Sequence, residues 1–399
     1  MSKPTKPVDI GNEIYWVGAL NPEMRRFDVI METEFGSSYN SYIVKGDSKI
    51  ALIDAVRDGY LKESLALIRQ VVDPIDYIII QHTEPDHTGA LAELLDIATN
   101  AKIYCSKPAS SNLPLIAQRE LPLTVVKDGD SLELGNRKLR FISAPFLHWP
   151  DTIFTYDENS GALFTCDAFG CHYSPENVLE SKTDPRFKHE RKYYYDCIVA
   201  PYAAFVKKAI ASVKEKQLKI TSILPSHGPV LDENPMEAVE QYDAWSRQGE
   251  LPEGHRLVFI PYVSSYGYTE QLAKEIATEL ASLGVETDVA DIAALPTKEV
   301  TDRIYAAHAL AIGSPTVNAD ALPPIWNALS HLAVPLVRGK KAIVFGDYGW
   351  SGEGVPFVEQ RLNNLGFKVA GTLKVRFKPD EQALSDARAL ARTLAEAMG

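Results

Sequence analysis

The chain has 399 residues, a formal net charge of −12, 45% hydrophobic residues and 24% charged residues. This is an ordinary globular composition with room for two or three domains. The acidic balance disfavours nucleic acid as a main partner, because neutralising phosphates needs a basic face.

No apolar run approaches the roughly 20 residues that span a bilayer, and the N-terminal MSKPTKPVDIGNEIYW has no apolar signal-peptide core. A cytoplasmic protein without a membrane partner is expected. The four cysteines, Cys105, Cys166, Cys171 and Cys197, form no Cys-x-x-Cys pair. That excludes a rubredoxin-type iron–thiolate site or a zinc ribbon among these residues. Reduced and mostly buried thiols are expected.

In chain order, 41-SYIVKGDSKIALIDA-55 predicts a hairpin around Gly46, Asp47 and Ser48. LKESLALIRQVV predicts a helix, followed by the apolar strand 77-YIII-80. TGALAELLDIA predicts the next helix, with Thr88 as its N-cap. TIFTYDENSGALFTC repeats the hairpin pattern around Asn159, Ser160 and Gly161. The polar stretch 246-SRQGELPEGHR-256 is the candidate linker, giving expected domains of 1–249 and 250–399. Beyond it, LVFIPYV, VETDVADI, ALAIGSPT and KAIVFGDY alternate with helical segments. That alternation predicts a doubly wound parallel sheet.

The loop after YIII carries His82, Glu84, Asp86 and His87, four potential metal ligands within six residues. Loops at strand ends are where a scaffold aims side chains at one point. Three further ligands stand in similar settings: His148 after KLRFISA, Asp167 after ALFTC, and His227 after ITSILP. Four histidines and three carboxylates exceed the needs of one tetrahedral zinc. They suit two metals if a carboxylate bridges them. A carboxylate at Glu84 is a harder ligand than imidazole and favours iron or manganese over zinc.

This pattern, His82-x-Glu84-x-Asp86-His87 with His148, Asp167 and His227, resembles the flavodiiron proteins. In that family, soluble enzymes reduce dioxygen or nitric oxide, and the histidine of the metallo-β-lactamase motif is replaced. The resemblance covers essentially the whole chain. It implies an N-terminal αββα metallo-β-lactamase-like sandwich followed by a flavodoxin-like parallel sheet. It also implies two irons: one held by His82, Glu84 and His148, the other by Asp86, His87 and His227, with Asp167 bridging and His82 the least constant ligand. Among the tyrosines of ERKYYYDCIV, Tyr195 is the expected neighbour of the centre.

In the second part, the strand LVFIPYV leads through Ser264, Ser265, Tyr266, Gly267, Tyr268 and Thr269 into a helix. A helix N-terminus with free N–H groups is an anion site. Neither the ATP-type lysine motif nor Gly-x-Gly-x-x-Gly is present, so a monophosphate fits better. Capping alone would also account for Thr269.

Two later strand ends add Ser314, Pro315, Thr316, Val317 and Asn318, and Gly346, Asp347, Tyr348, Gly349, Trp350, Ser351 and Gly352. The second offers flat aromatics beside glycines that allow close backbone approach. The pattern is similar to flavodoxin and implies FMN, with the phosphate at 264–269 and the ring against Trp350. Asp347 departs from the small hydroxyl residue frequent in relatives. A carboxylate there is expected to disfavour the anionic reduced flavin.

The resemblance further implies a head-to-tail homodimer, or a dimer of dimers, in which each flavin serves its partner's irons. A separate rubredoxin is the implied electron donor, with a deazaflavin as second candidate. Dioxygen and nitric oxide both stay open as substrates. The competing classes are a binuclear zinc hydrolase with a flavodoxin-like appendage and a non-catalytic redox carrier or sensor.

Overall fold

The computed structural model describes residues 4–27, 31–72, 74–247 and 256–399. The chain forms two compact units, Met1–Gln248 and Gly249–Gly399. The expected linker 246–256 lies largely outside the described residues. Its first residue, Ser246, ends the helix Pro235–Ser246.

The first unit is built on two sheets. Seven strands in the first run in the spatial order Val8–Gly11, Ile14–Trp16, Tyr42–Lys45, Ile50–Ile53, Tyr77–Ile79, Lys102–Ser106 and Leu123–Val126. The predicted hairpin is the antiparallel pair 42–45 and 50–53. From 50–53 onward the strands pair in parallel. Their crossovers contain the helices Leu61–Val71, Leu91–Ile97 and Ala109–Ala117.

Five strands form the second sheet, in the order Ser131–Glu133, Lys138–Ser143, Ile153–Asp157, Ala162–Cys166 and Ser222–Pro225. The second predicted hairpin pairs 153–157 with 162–166. Because 153–157 is antiparallel to both its neighbours and 222–225 is parallel to 162–166, three strands point the same way. Their C-terminal ends therefore emerge at one end of the sheet. Apolar residues of both sheets join one buried cluster, which includes Ile43, Ile78, Ile79, Phe141, Phe154 and Phe164.

Thr88 does not cap the second helix. It ends a separate short turn, Pro85–Thr88, and its hydroxyl donates back to the Glu84 carbonyl. The helix Leu91–Ile97 starts after Ala90 with no side-chain cap. A hydroxyl inside a turn satisfies itself on a carbonyl four residues back, which removes it as a cap.

The second unit is a five-stranded parallel sheet in the order Glu286–Asp291, Leu257–Tyr262, Ala309–Gly313, Lys341–Tyr348 and Lys368–Arg376. Along its first strand, Val258 and Ile260 join one buried cluster and Phe259 joins another. This period-two division is what a sheet covered on both faces requires.

One buried side chain ties the sheets of the first unit to a ligand-bearing loop. Asn40 accepts from the Trp16 indole at 2.8 Å and donates to the carbonyls of Pro225 and Gly228 at 2.8 and 2.9 Å. Its backbone N–H also donates to Ser226. Asn40→Ala would orphan the Trp16 N–H and the Gly228 carbonyl. The expected cost is about 3 kcal/mol, at about 1–3 kcal/mol per buried orphan. Denaturant unfolding followed by near-ultraviolet dichroism checks this, and a loss below about 1 kcal/mol would contradict it.

Candidate metal centre and cofactor loops

All seven candidate ligands meet at the C-terminal ends of the strands. His82, Glu84, Asp86 and His87 follow 77–79, His148 follows 138–143, Asp167 follows 162–166, and His227 follows 222–225. They form two groups about Asp167. Its Oδ2 lies 3.2 Å from His148 Nε2 and 3.7 Å from His82 Nε2. Its Oδ1 lies 3.1 Å from His87 Nε2 and 3.4 Å from His227 Nε2.

Glu84 Oε2 completes the first group, 3.0 Å from His148 and 3.5 Å from His82. Asp86 completes the second, 3.4 Å from His87 and 3.1 Å from His227. His148 and Glu84 are the most accessible members, with side chains 15% and 11% exposed. The first group therefore marks the open side.

Three carboxylates in so buried a cluster need compensating charge. Burial pushes the Asp167 carboxyl up, but His87, His148 and His227 outweigh it and hold it well below the carboxylate range. Burial likewise opposes ionisation of Asp86, yet His87 and His227 bring it to about 2. Burial, aided by the neighbouring carboxylates of Asp167 and Asp86, keeps Glu84 raised, and burial with the nearby His87 and His148 holds His82 well below its ordinary value. Burial would lower His148, but Asp167 and Glu84 raise it to about 10. His87 and His227 are raised the same way by Asp86 and Asp167, against burial.

Several inward-facing atoms, His82 Nε2, His87 Nε2, both Asp86 oxygens and Asp167 Oδ1, are buried without a hydrogen-bond partner. Two dications, one held by each group, would give these atoms partners. The donor set, rich in carboxylate, suits iron better than zinc.

A second layer orients these ligands. His227 Nδ1 donates to the Ser38 carbonyl at 2.6 Å. His87 Nδ1 faces Asp54 Oδ2 at 3.7 Å, and Asp54 accepts from the Gln81 N–H. His82 Nδ1 contacts Cys166 Sγ at 3.1 Å, and its ring stacks on Trp149. All four cysteines are free thiols, three buried and Cys197 exposed.

Tyr195 is not the tyrosine facing the centre. Its hydroxyl bonds Ser246 Oγ at 2.9 Å, and its ring packs on Tyr242 and Trp245. Tyr194 takes that place, with its ring 5.0 Å from His172 and 6.3 Å from His227. Helix Phe187–Tyr194 passes into a π-helical turn, Tyr195–Val199, which shifts the helical phase by a residue.

Sequence reasoning also missed His172. It sits 5.1 Å from the His227 ring, bonds Ser37 Oγ, and is pushed by burial to about 3. Its only signal was a histidine five residues past Asp167.

In the second unit, the three expected loops leave the C-terminal ends of 257–262, 309–313 and 341–348. The strand order reverses between the first two, the place where parallel sheets bind ligands. Loop tips are exposed at Ser265, Tyr266, Gly267, Val317, Asn318, Trp350 and Ser351, while Thr269, Ser314, Pro315, Gly346 and Asp347 are buried anchors. Ser264, Tyr268, Thr316, Tyr348, Gly349 and Gly352 lie between these extremes.

Gly267, at φ 82, precedes the 15-residue helix Tyr268–Ser282 and has no side chain to cap it. Thr269 does not cap this helix; its hydroxyl donates to Asp347 Oδ1. The Asp347 carboxylate thus lies against the phosphate-type loop, and burial raises it. A Cβ at Gly346 would lie 1.8 Å from the Ser314 carbonyl, so these two loops need glycine to approach. Trp350 is 98% exposed and Tyr266 is 83% exposed. A helix N-terminus preceded by glycine, with Ser264 Oγ accepting from the Glu270 N–H at 3.3 Å and bare flat aromatics on its loop tips, fits a phosphorylated flavin.

A family profile described as ODP family beta lactamase matches residues 38–228, and the flavodoxin profile matches residues 260–390. A flavo-diiron protein of Clostridium acetobutylicum is 38% identical over 370 residues, covering 91% of this chain and 92% of that one. A nitric oxide reductase of Moorella thermoacetica is 32% identical over 363 residues, covering 90% of each chain. The solved rubredoxin oxygen:oxidoreductase of Desulfovibrio gigas superposes with a TM-score of 0.65 at 29% identity, covering 98% of each chain.

His148, at about 10, carries a proton at pH 7 in the metal-free cluster, and the Asp86 and Asp167 carboxylates push His87 and His227 in the same direction, whereas a metal binds neutral imidazole. Uptake of ferrous iron by the metal-free protein is therefore expected to release protons. Its affinity should rise with pH from neutrality up toward about 10, where His148 gives up its proton. An indicator-dye titration checks this, and uptake without proton release or pH dependence would contradict it.

Proposed function

The chain belongs to the flavodiiron proteins, and from that premise we propose that it reduces dioxygen to water, nitric oxide to nitrous oxide, or both, at an iron pair supplied with electrons by FMN. The observation that carries this reading is the pair of Asp167 oxygens directed at two separate ligand groups. His82, Glu84 and His148 would hold one iron, Asp86, His87 and His227 the other, and Asp167 would join both. When bound, the irons supply binding and reduction of a small diatomic, and FMN accepts two electrons and passes them on singly.

The chain's own residues set the conditions. Glu84 supplies a hard oxygen donor where a zinc hydrolase would carry imidazole. Tyr194, His172 and Phe27 wall the second group, with the Phe27 ring 4.2 Å from His172 and 6.0 Å from His227. They exclude bulk water from that side while leaving a hydroxyl and a ring nitrogen nearby. In the second unit, the Ser264–Thr269 loop receives the phosphate, and Trp350 and Tyr348 offer faces to the flavin ring.

The names of the relatives support both gases and a rubredoxin-type donor. A deazaflavin is the second candidate donor. A head-to-tail dimer would cover the exposed Trp350 and carry electrons between subunits. No described helix is long and apolar enough to cross a membrane. A cytoplasmic setting agrees with that and with the free cysteines.

Two experiments test the proposal. The iron- and FMN-loaded protein is reduced fully without oxygen and mixed in stopped flow with dioxygen and, separately, with nitric oxide. Rapid reoxidation of flavin and iron by at least one gas is expected. A reduced protein inert to both would overturn the reading, and zinc retained in preference to iron would favour the hydrolase class. Asp347→Asn keeps an acceptor for Thr269 but removes a negative charge beside the phosphate loop. FMN is expected to bind about fivefold more tightly, the order for one like charge across a partly solvated gap, and its reduction potential should rise. An unchanged affinity and potential would contradict this role.

A further inference from the structure

The back nitrogens of the buried ligand histidines are held unequally. His227 Nδ1 donates to a backbone carbonyl at 2.6 Å. His87 Nδ1 faces a carboxylate oxygen of Asp54 at 3.7 Å, beyond hydrogen-bond distance. His82 Nδ1 instead meets the sulfur of Cys166 at 3.1 Å, with both residues fully buried. Cys166 ends the strand 162–166 at φ 53. That left-handed turn sends its thiol toward His82 while the next residue, Asp167, points its carboxylate into the cluster.

A histidine that offers its Nε2 lone pair to a metal carries its proton on Nδ1. The sulfur of Cys166 is then the acceptor. Thiol sulfur is a weak acceptor, whereas oxygen partners fix a ligand ring firmly and raise its basicity. We infer that Cys166 is the positioning residue of His82: it fixes which nitrogen faces the metal, and it holds His82 more weakly than the Ser38 carbonyl holds His227. The two irons are therefore unequally retained, and the one on the His82, Glu84 and His148 side leaves first. This rests on the proposed iron-binding reading of the site.

The test uses the full chain loaded with isotopically enriched iron and FMN, with Cys166→Ala and Cys166→Ser beside the parent. Under reducing, oxygen-free conditions a ferrous chelator should withdraw iron from the parent in two phases. In Cys166→Ala the faster phase should quicken by about 10–100-fold, the usual effect of removing an outer partner of a ligand, with the slower phase unchanged. Cys166→Ser, which restores an acceptor, should recover part of the difference. In Mössbauer spectra one iron doublet should move and the other stay.

Equal changes in both phases and both doublets would mark a general structural effect and overturn the inference, as would no change in either. Loss of a sulfur-to-iron absorption band in Cys166→Ser would make Cys166 a ligand and overturn it as well. If Cys166→Ala does not fold, the phases and doublets of Cys166→Ser decide alone. A parent protein that takes up no iron sinks the proposed function itself, which separates the two failures.

Discussion

The first unit depends on one shared carboxylate. Asp167 turns one oxygen toward His82 and His148 and the other toward His87 and His227. A side chain that serves two groups at once requires the ends of both sheets to arrive at fixed distances. The strand register supplies this: Cys166 pairs with Pro225 in the parallel ladder, and the Ser226 N–H donates to the Cys166 carbonyl at 2.7 Å. Asp167 and His227 thus emerge from adjacent strand ends as a unit. The first sheet delivers the 82–87 loop from 77–79, beside Asp54 at the end of 50–53.

Around this core the partners of each ligand differ in strength, and the differences are graded. A carbonyl holds His227, a carboxylate faces His87, a thiol touches His82, and His148 stands on the accessible side beside the ring of Tyr202. Rigid backing on the closed side and weaker backing toward the open side give a site with one firm and one adaptable half. Outer partners of this kind tune a metal as much as the ligands do. The second unit shows a similar economy, because Thr269 and Asp347 anchor the phosphate-type loop from beneath and leave its tip bare.

Much of this was legible in the sequence because the signals were local. Alternating apolar runs around Gly46 and Gly161 marked hairpins, and ligands clustered behind predicted strands. Strand–helix alternation beyond residue 256 marked the parallel sheet. The misses concern features set by tertiary packing. The choice between Tyr194 and Tyr195 turns on which face of their helix packs toward His172 and His227, which carries no compositional mark. Thr88 has capping chemistry, but its hydroxyl finds another partner in the fold. The roles of Cys166, Asp54 and Asn40 exist only because distant strands meet, since Asn40 reaches a carbonyl 188 residues away.

The central claim is that Asp167 joins two irons held by two separate ligand groups. Diffraction from crystals of the iron-loaded protein, recorded on both sides of the iron absorption edge, tests it directly. Two anomalous peaks are expected about 3.5–4 Å apart, the usual spacing of a two-metal site, with Asp167 between them. A single peak, two peaks of which Asp167 touches one, or a signal that appears at the zinc edge instead would contradict it.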